Sequence, residues 1–275
     1  MEKYSVLMSV YAKVTSSELI TSIDSMLDQT VPPDEFIVVW DGPVGEDLKE
    51  IVQQRSKQHP GVFTEIQLKE NHGLAYALNQ GLNKSRNDLI ARMDSDDFSL
   101  PERCEKQLQR FDEVSDLVLL GTNIPFFKDD PDNILEIKRG YPIDTETIRK
   151  VLRRNDPFSH PTVMYKRSAV LSCGGYDPLL RRRQDYDLFS MMVVHHQMRA
   201  ENLSEELLLF RADDDYKKRN KSKESCNNRI IIQKRILKRG DCSLLDYMYV
   251  WAAMTASKLI PDGLYGKMYS WIKGR

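Results

Sequence analysis

Between Tyr4 and Asp94, short apolar runs alternate with stretches of helical periodicity, and the links between them are brief. Residues 5–10, 35–40 and 63–68, and the run from Asp88 that closes at Asp94, read as strands. Thr15 and Glu18 form a capping box for a helix whose apolar positions are Leu19, Ile20, Ile23, Met26 and Leu27. Residues 48–58 and 74–83 read as the next two helices, and Pro32-Pro33, Asp41-Gly42-Pro43 and Asn71-His72-Gly73 mark turns. This alternation predicts a mostly parallel α/β sheet with right-handed crossovers and helices on both faces. Such sheets bind ligands beyond the carboxyl ends of their strands. Tyr11, Asp41, Gly73 and Asp94 all fall there, and that convergence says more than any one of them.

The fourth strand ends in Asp94-Ser95-Asp96-Asp97. Carboxylates this close repel, and at least one stays protonated unless a cation sits among them. Hard oxygen ligands suit Mg²⁺ or Mn²⁺, which commonly share a few carboxylates with substrate phosphates. The plainer alternative is an acidic surface turn ahead of a helix. Ser99, Pro101 and Glu102 resemble such a helix start, with Ser99 as N-cap and Glu102 closing a capping box.

The middle of the chain is less regular. Residues 117–121 and 162–165 read as strands, 128–133 as a polar loop, and 145–154 and 167–172 as helices. Gln184-Asp185-Tyr186-Asp187 sits at a helix start. From about residue 226 the chain turns helical and basic, so the expected division is an α/β domain over 1–225 and a helical extension over 226–275. Lys217 to Arg239 holds ten basic residues against Glu224 alone, although the formal net charge of the whole chain is −1. That excess suits phosphates or an anionic membrane surface, or is a solvated helix face. Residues 244–260 form a largely apolar helix containing Tyr247, Tyr249 and Trp251, with Tyr265, Lys267, Tyr269, Trp271 and Lys273 beyond it. Aromatic and basic residues around an apolar helix suit a membrane interface; packing on the domain is the competing possibility. No clean apolar run of spanning length is present. Cys104, Cys173, Cys226 and Cys242 are too scattered for a zinc site or a disulfide framework, which is consistent with a reduced intracellular protein.

The series Ser5–Tyr11, Val38-Val39-Trp40-Asp41-Gly42, Asn71-His72-Gly73-Leu74-Ala75, Ala91–Asp97, His160–Met164 and Gln184–Leu188 resembles bacterial family 2 glycosyltransferases, and above all the amylovoran and capsular-polysaccharide enzymes. Each motif is modest, but six in order over residues 4 to 220 are specific. The resemblance implies a GT-A fold, a nucleotide-diphosphate sugar donor, a divalent metal and inversion at the anomeric carbon. By the same resemblance Asp41 reads the uracil, Tyr11 borders the base and Gly73 leaves room for the nucleotide. Asp94 contacts the ribose or the metal region, and Asp96 ligates the Mn²⁺ or Mg²⁺ that bridges the phosphates. Asp185 is the catalytic base, and Arg219 clamps the diphosphate. Asp97 receives no separate role. His160 either faces this pocket or satisfies a buried hydrogen bond, and the latter is favoured. Two departures stand out: Gln184 replaces the usual Glu before Asp185, and Ala12 and Trp40 replace the usual Asn and Asp.

These readings lead to a metal-dependent inverting hexosyltransferase that moves a sugar from a UDP-sugar to a lipid-linked saccharide in cell-surface polysaccharide synthesis. It is expected in the cytoplasm, at the membrane surface if the terminal helices bind there, with no nucleic-acid partner. Asp185 is expected to be ionised at neutral pH, favoured by the helix start, and Asp187 to be structural. One rival is a non-catalytic nucleotide-sugar-binding subunit, which the retention of Asp94, Asp96 and Asp185 disfavours. The other is a sugar nucleotidyltransferase, which wants a glycine-rich loop after the first strand; residues 11–18 contain no glycine.

Overall fold

The computed structural model describes residues 2–212 and 222–259, with backbone only for 136–139 and 259. Strand β1 (Tyr4–Val10) lies between β2 (Glu35–Trp40) and β4 (Leu89–Asp94), and β3 (Phe63–Gln67) extends the sheet beyond β2, all in parallel. The register sets Val10 beside Trp40 and Ser9 beside Asp94, so Tyr11, Asp41 and Asp94 reach one edge together. Beyond β4 the order continues through β8 (Met164–Lys166) and β6 (Leu117–Lys128) to β10 (Leu208–Arg211) and the two-residue β5 (Phe98–Ser99). Strand β8 is antiparallel to both neighbours, while β9 (Arg199–Glu206) and β10 run parallel to β6. The sheet is therefore mostly parallel with a mixed far half.

Strand alternation divides the core in two. Val6, Met8, Val10, Phe36, Val38, Trp40 and Met93 point to one face. There they meet α1 (Ser16–Leu27), α2 (Glu46–Gln58) and α4 (Arg103–Glu113). Leu7, Ile37, Val39 and Ile90 point to the other face. That face is covered by α3 (Leu74–Lys84), α5 (Thr145–Leu152), α6 (Arg167–Ser172), α7 (Gln184–Ser190) and α8 (Lys223–Lys238). Ile232 and Ile236 tie α8 into that core, and α9 (Leu244–Leu259) packs against α8. Arg92 falls on the second face, two positions from Ile90, which an apolar strand would reserve for a hydrophobe.

The capping box at Thr15 is present, with Glu18 accepting from the Thr15 backbone at 2.9 Å. The start expected at Ser99 is not. Ser99 is in β5 opposite Leu208, and α4 begins at Arg103. Its first free N–H, on Cys104, is satisfied by Gln29 Oε1 at 2.9 Å, a partner 75 residues away. Pairing with β10 overrides the local cap. The loop expected over 128–133 is instead a hairpin turn at Asp129 (φ 64°), from which β7 (Asp130–Arg139) returns along β6.

Gly42, just past β2, has φ +92°, and a Cβ there would sit 2.8 Å from the Asn71 backbone nitrogen. Gly42→Ala is therefore expected to lose about 2 kcal/mol or more of stability, since strain and a backbone clash add. Urea unfolding measures it; a loss below about 0.5 kcal/mol, the ordinary range for a neutral surface change, would contradict the assignment.

Candidate active site

Asp41 is 4% exposed at the end of β2, and its carboxylate is held by the next strand end. Oδ1 accepts from the His72 backbone N–H at 2.8 Å, and Oδ2 from Gly73 N–H at 3.0 Å and Asn71 Nδ2 at 2.9 Å. Asp41 thus fixes the Asn71-His72-Gly73 turn that opens α3. Gly73 has φ +91°, and a Cβ there would meet open space, so its backbone conformation is what requires glycine. Tyr11 stands at the same edge, 44% exposed.

At the end of β4, Asp94, Asp96 and Asp97 each bring a carboxylate oxygen to within 4.8 Å of the others. Arg92 lies beneath them, 1% exposed, with Nη2 ion-paired to Asp94. Asp97 is 1% exposed; its Oδ1 accepts from Arg211 N–H at 2.9 Å, and its buried Oδ2 has no partner among the described residues. Burial, then the Asp94 and Glu18 charges, push Asp96 up to about 7. Burial, then Asp96 and Asp94, hold Asp97 well above the usual carboxylate range. Three carboxylates with hard oxygens, one of them carrying an unpartnered oxygen, and with charges that repel when ionised, fit a divalent cation.

A cavity of about 490 Å³ runs from Asp94 across Arg92 and His160 to Asp185, and continues to Arg183 and Met254. Asp94 and Asp185 are 91 positions apart in sequence yet line the same space. Asp185 is in the first turn of α7, whose N-cap, Arg183, is left-handed at φ 61°. That conformation costs a non-glycine residue of order 1 kcal/mol, and Arg183 Nε anchors it by donating to Ser225 Oγ at 2.9 Å. Burial raises the Asp185 carboxyl, outweighing the Tyr186 N–H and the Arg183 and Arg92 charges, which pull it down. The helix start therefore acts as expected but does not prevail. Asp156, lining the same cavity, is pushed well above its ordinary value by burial and by the Asp185 charge. The acidic neighbour that Gln184 is not is Asp156, and of the two acids it is Asp156 that the other's charge raises.

His160 Nε2 is 2.9 Å from the Tyr176 hydroxyl, and burial with the Arg92 charge holds the imidazole well below its usual pKa. It borders the cavity as a neutral, hydrogen-bonded ring. Asp187 turns away to ion pairs with Arg235 (2.7 Å) and Arg239 (3.7 Å) of the basic segment. Arg219 lies in 213–221, outside the described residues. Arg92, Asp156 and Arg183 were not singled out from sequence. Only Arg92 carried a signal there, as a charge within an apolar strand.

The "Glycosyl transferase family 2" model matches residues 5–174. Over 213 residues the chain is 35% identical to the amylovoran biosynthesis glycosyltransferase AmsE of Erwinia amylovora, covering 77% of each. Over 268 residues it is 28% identical to the UDP-Gal:alpha-D-GlcNAc-diphosphoundecaprenol beta-1,3-galactosyltransferase of Escherichia coli, covering 97% of this chain and 95% of that one. It is similar in fold to residues 1–349 of S. aureus TarS, crystallised with UDP, with a TM-score of 0.64 at 17% identity over 92% of this chain and 70% of the other. The chain belongs to glycosyltransferase family 2 and has the GT-A fold.

A carboxyl group whose pKa rises on folding stabilises the fold below its unfolded value, and that contribution is lost as pH rises through the folded value. Asp96, raised from 3.8 to about 7, sets the window: metal-free protein is expected to lose thermal stability between about pH 4 and 7. Asp96→Asn should raise the melting temperature of metal-free protein at pH 8 and abolish any stabilisation by Mn²⁺. Unchanged Mn²⁺ stabilisation of the variant in a thermal-shift assay would contradict the cation assignment.

Proposed function

We propose that this family 2 glycosyltransferase transfers a hexose, with inversion, from a UDP-sugar to a lipid-linked saccharide acceptor in cell-surface polysaccharide synthesis. The observation that carries this reading is one cavity bordered by both Asp94 and Asp185. A cluster able to hold a metal and a diphosphate then faces a separate carboxylate able to take a proton. The relatives support the substrate classes: one is named for UDP-Gal and a diphosphoundecaprenol acceptor, another for amylovoran biosynthesis. The TarS structure contains UDP.

In this reading the uracil lies against Tyr11 and the Asp41-fixed turn, with Gly73 leaving space at the start of α3. Asp96, with Asp94, would hold Mn²⁺ or Mg²⁺. Bound there, the ion would supply positive charge for the departing diphosphate. Arg219 adds to that charge. Asp185 removes the proton from the acceptor hydroxyl as its oxygen bonds to the anomeric carbon, on the face opposite the leaving UDP. Arg183 and Arg92 keep the ionised form of Asp185 accessible despite its burial. Such an enzyme works at the cytoplasmic face of the membrane, where a lipid-linked acceptor presents its sugar.

Asp185→Asn keeps the shape and removes the basicity, so the transfer rate should fall about 10²–10⁴-fold while calorimetric UDP affinity with Mn²⁺ barely changes. Near-normal transfer, or failure to bind UDP, would contradict Asp185 as the base. Asp156 is the more strongly raised of the two acids and still holds its proton where Asp185 titrates. Asp156→Asn, which replaces a neutral carboxyl by a neutral amide, should therefore leave the acidic limb of the rate profile within roughly half a unit of wild type. A limb moved to lower pH by more than that would show Asp156 charged beside Asp185 and contradict this order.

A further inference from the structure

Helix α9 carries five large apolar side chains outward. Its inward positions include Asp246, which is 7% exposed and ion-paired with Arg154, and Val250, with Met254 and Ser257 on the catalytic cavity wall. Outward are Leu244 (63% exposed), Leu245 (77%), Met248 (50%), Tyr249 (62%) and Trp251 (44%). Positions 244, 248, 252 and 256 are all exposed and recur at the four-residue spacing of one helix face. A helix that simply packs on a domain presents the reverse pattern, and a contiguous exposed apolar patch marks an interaction site.

Beside this face lies a groove of about 940 Å³, larger than the catalytic cavity, lined by Lys150, Arg153, Arg154, Arg229, Ser243 and Tyr249. Asn155 and Arg229 border both spaces. The groove's acids are already engaged, Asp246 by Arg154 and Asp241 by Arg239 and His195. Arg154 also lies 5.4 Å from the Tyr249 ring centre. The exposed Lys150 and Arg153 side chains have no hydrogen-bond or ion-pair partner among the described residues. The groove therefore holds surplus positive charge next to an apolar face with Tyr and Trp on it.

We propose that the outer face of α9 and the Lys150–Arg153 groove dock on a bilayer containing anionic phospholipid. Leu244, Leu245, Met248 and Trp251 enter the interfacial region, and the groove takes lipid phosphate. Charge complementarity selects this occupant. A symmetric dimer through the same face would bring two such cation groups into one interface, an arrangement like charge opposes. Because the inner face of α9 walls the catalytic cavity, docking also sets that cavity beside the lipid surface. The docking stands on its own; its use in presenting a lipid-linked acceptor to Asp185 rests on the proposed transfer reaction.

The test is co-sedimentation of the full chain with vesicles of phosphatidylglycerol in phosphatidylethanolamine, and with vesicles of phosphatidylcholine alone. Binding is expected to the first and to be weak on the second. Each basic residue near an anionic surface contributes about 1 kcal/mol, so Lys150→Glu with Arg153→Glu should weaken sedimentation at least about tenfold. Leu245→Glu with Met248→Glu should do the same by removing the inserting side chains. Circular dichroism and UDP release from the UDP-sugar should match wild type in both variants. Wild-type sedimentation of either double variant, or equal binding to neutral vesicles, overturns the proposal. So does a dimer that Leu245→Glu with Met248→Glu converts to monomer while wild type ignores vesicles. Asp185→Asn should sediment as wild type; if it also transfers sugar normally, only the reaction assignment falls.

Discussion

The Arg92 guanidinium, 1% exposed in the middle of the sheet, is the interaction on which the site depends. Its charge is one of those that set the titration of Asp96 and Asp97 on one side and of Asp185 and His160 on the other. A buried cation of this kind survives only if paired. Asp94 is that partner, placed by strand alternation two residues along on the same face. Arg92 Nε and Nη1 have no partner among the described residues, although the side chain borders the cavity. Anionic substrate arriving there meets a donor whose desolvation cost folding has already met.

The same charge permits two kinds of carboxylate chemistry in one space. At the β4 end, Asp96 and Asp97 are crowded until they hold protons more tightly than a free carboxyl, an arrangement a divalent cation relieves. At the α7 start, burial raises Asp185, while the Tyr186 N–H, Arg183 and Arg92 limit the rise. A raised but still titratable carboxyl is a better proton acceptor than an ordinary surface aspartate, because its basicity lies closer to the working pH.

Much of this was legible in the residues. The alternation over Tyr4 to Asp94 implied the parallel sheet and its helices on both faces, and the first four strands are found where the apolar runs placed them. What escaped was set by partners far off in sequence. Gln29 caps α4, so Ser99 was free to join β10. The polar run after Lys128 became β7 because β6 offered it a pairing edge. Asp156 and Arg183 act through the fold that brings them to Asp185, and nothing local marks them. Arg92 could have been noticed, since a charge inside a buried strand needs a reason. The terminal helix allowed two readings, membrane surface or domain packing; Asp246 and Val250 of α9 pack on the domain, while Leu245 and Tyr249 face out, so domain packing accounts for only one side of the helix.

The central claim is that the carboxylates at the β4 end hold a metal and the donor diphosphate within reach of Asp185. The most direct measurement is a crystal structure of the full chain with UDP and Mn²⁺, read by anomalous scattering from manganese. The account predicts a manganese peak bonded to the Asp96 carboxylate and shared with the diphosphate, with the uracil beside Asp41 and open space left before Asp185. UDP bound away from Asp96, or a manganese peak elsewhere, would contradict it.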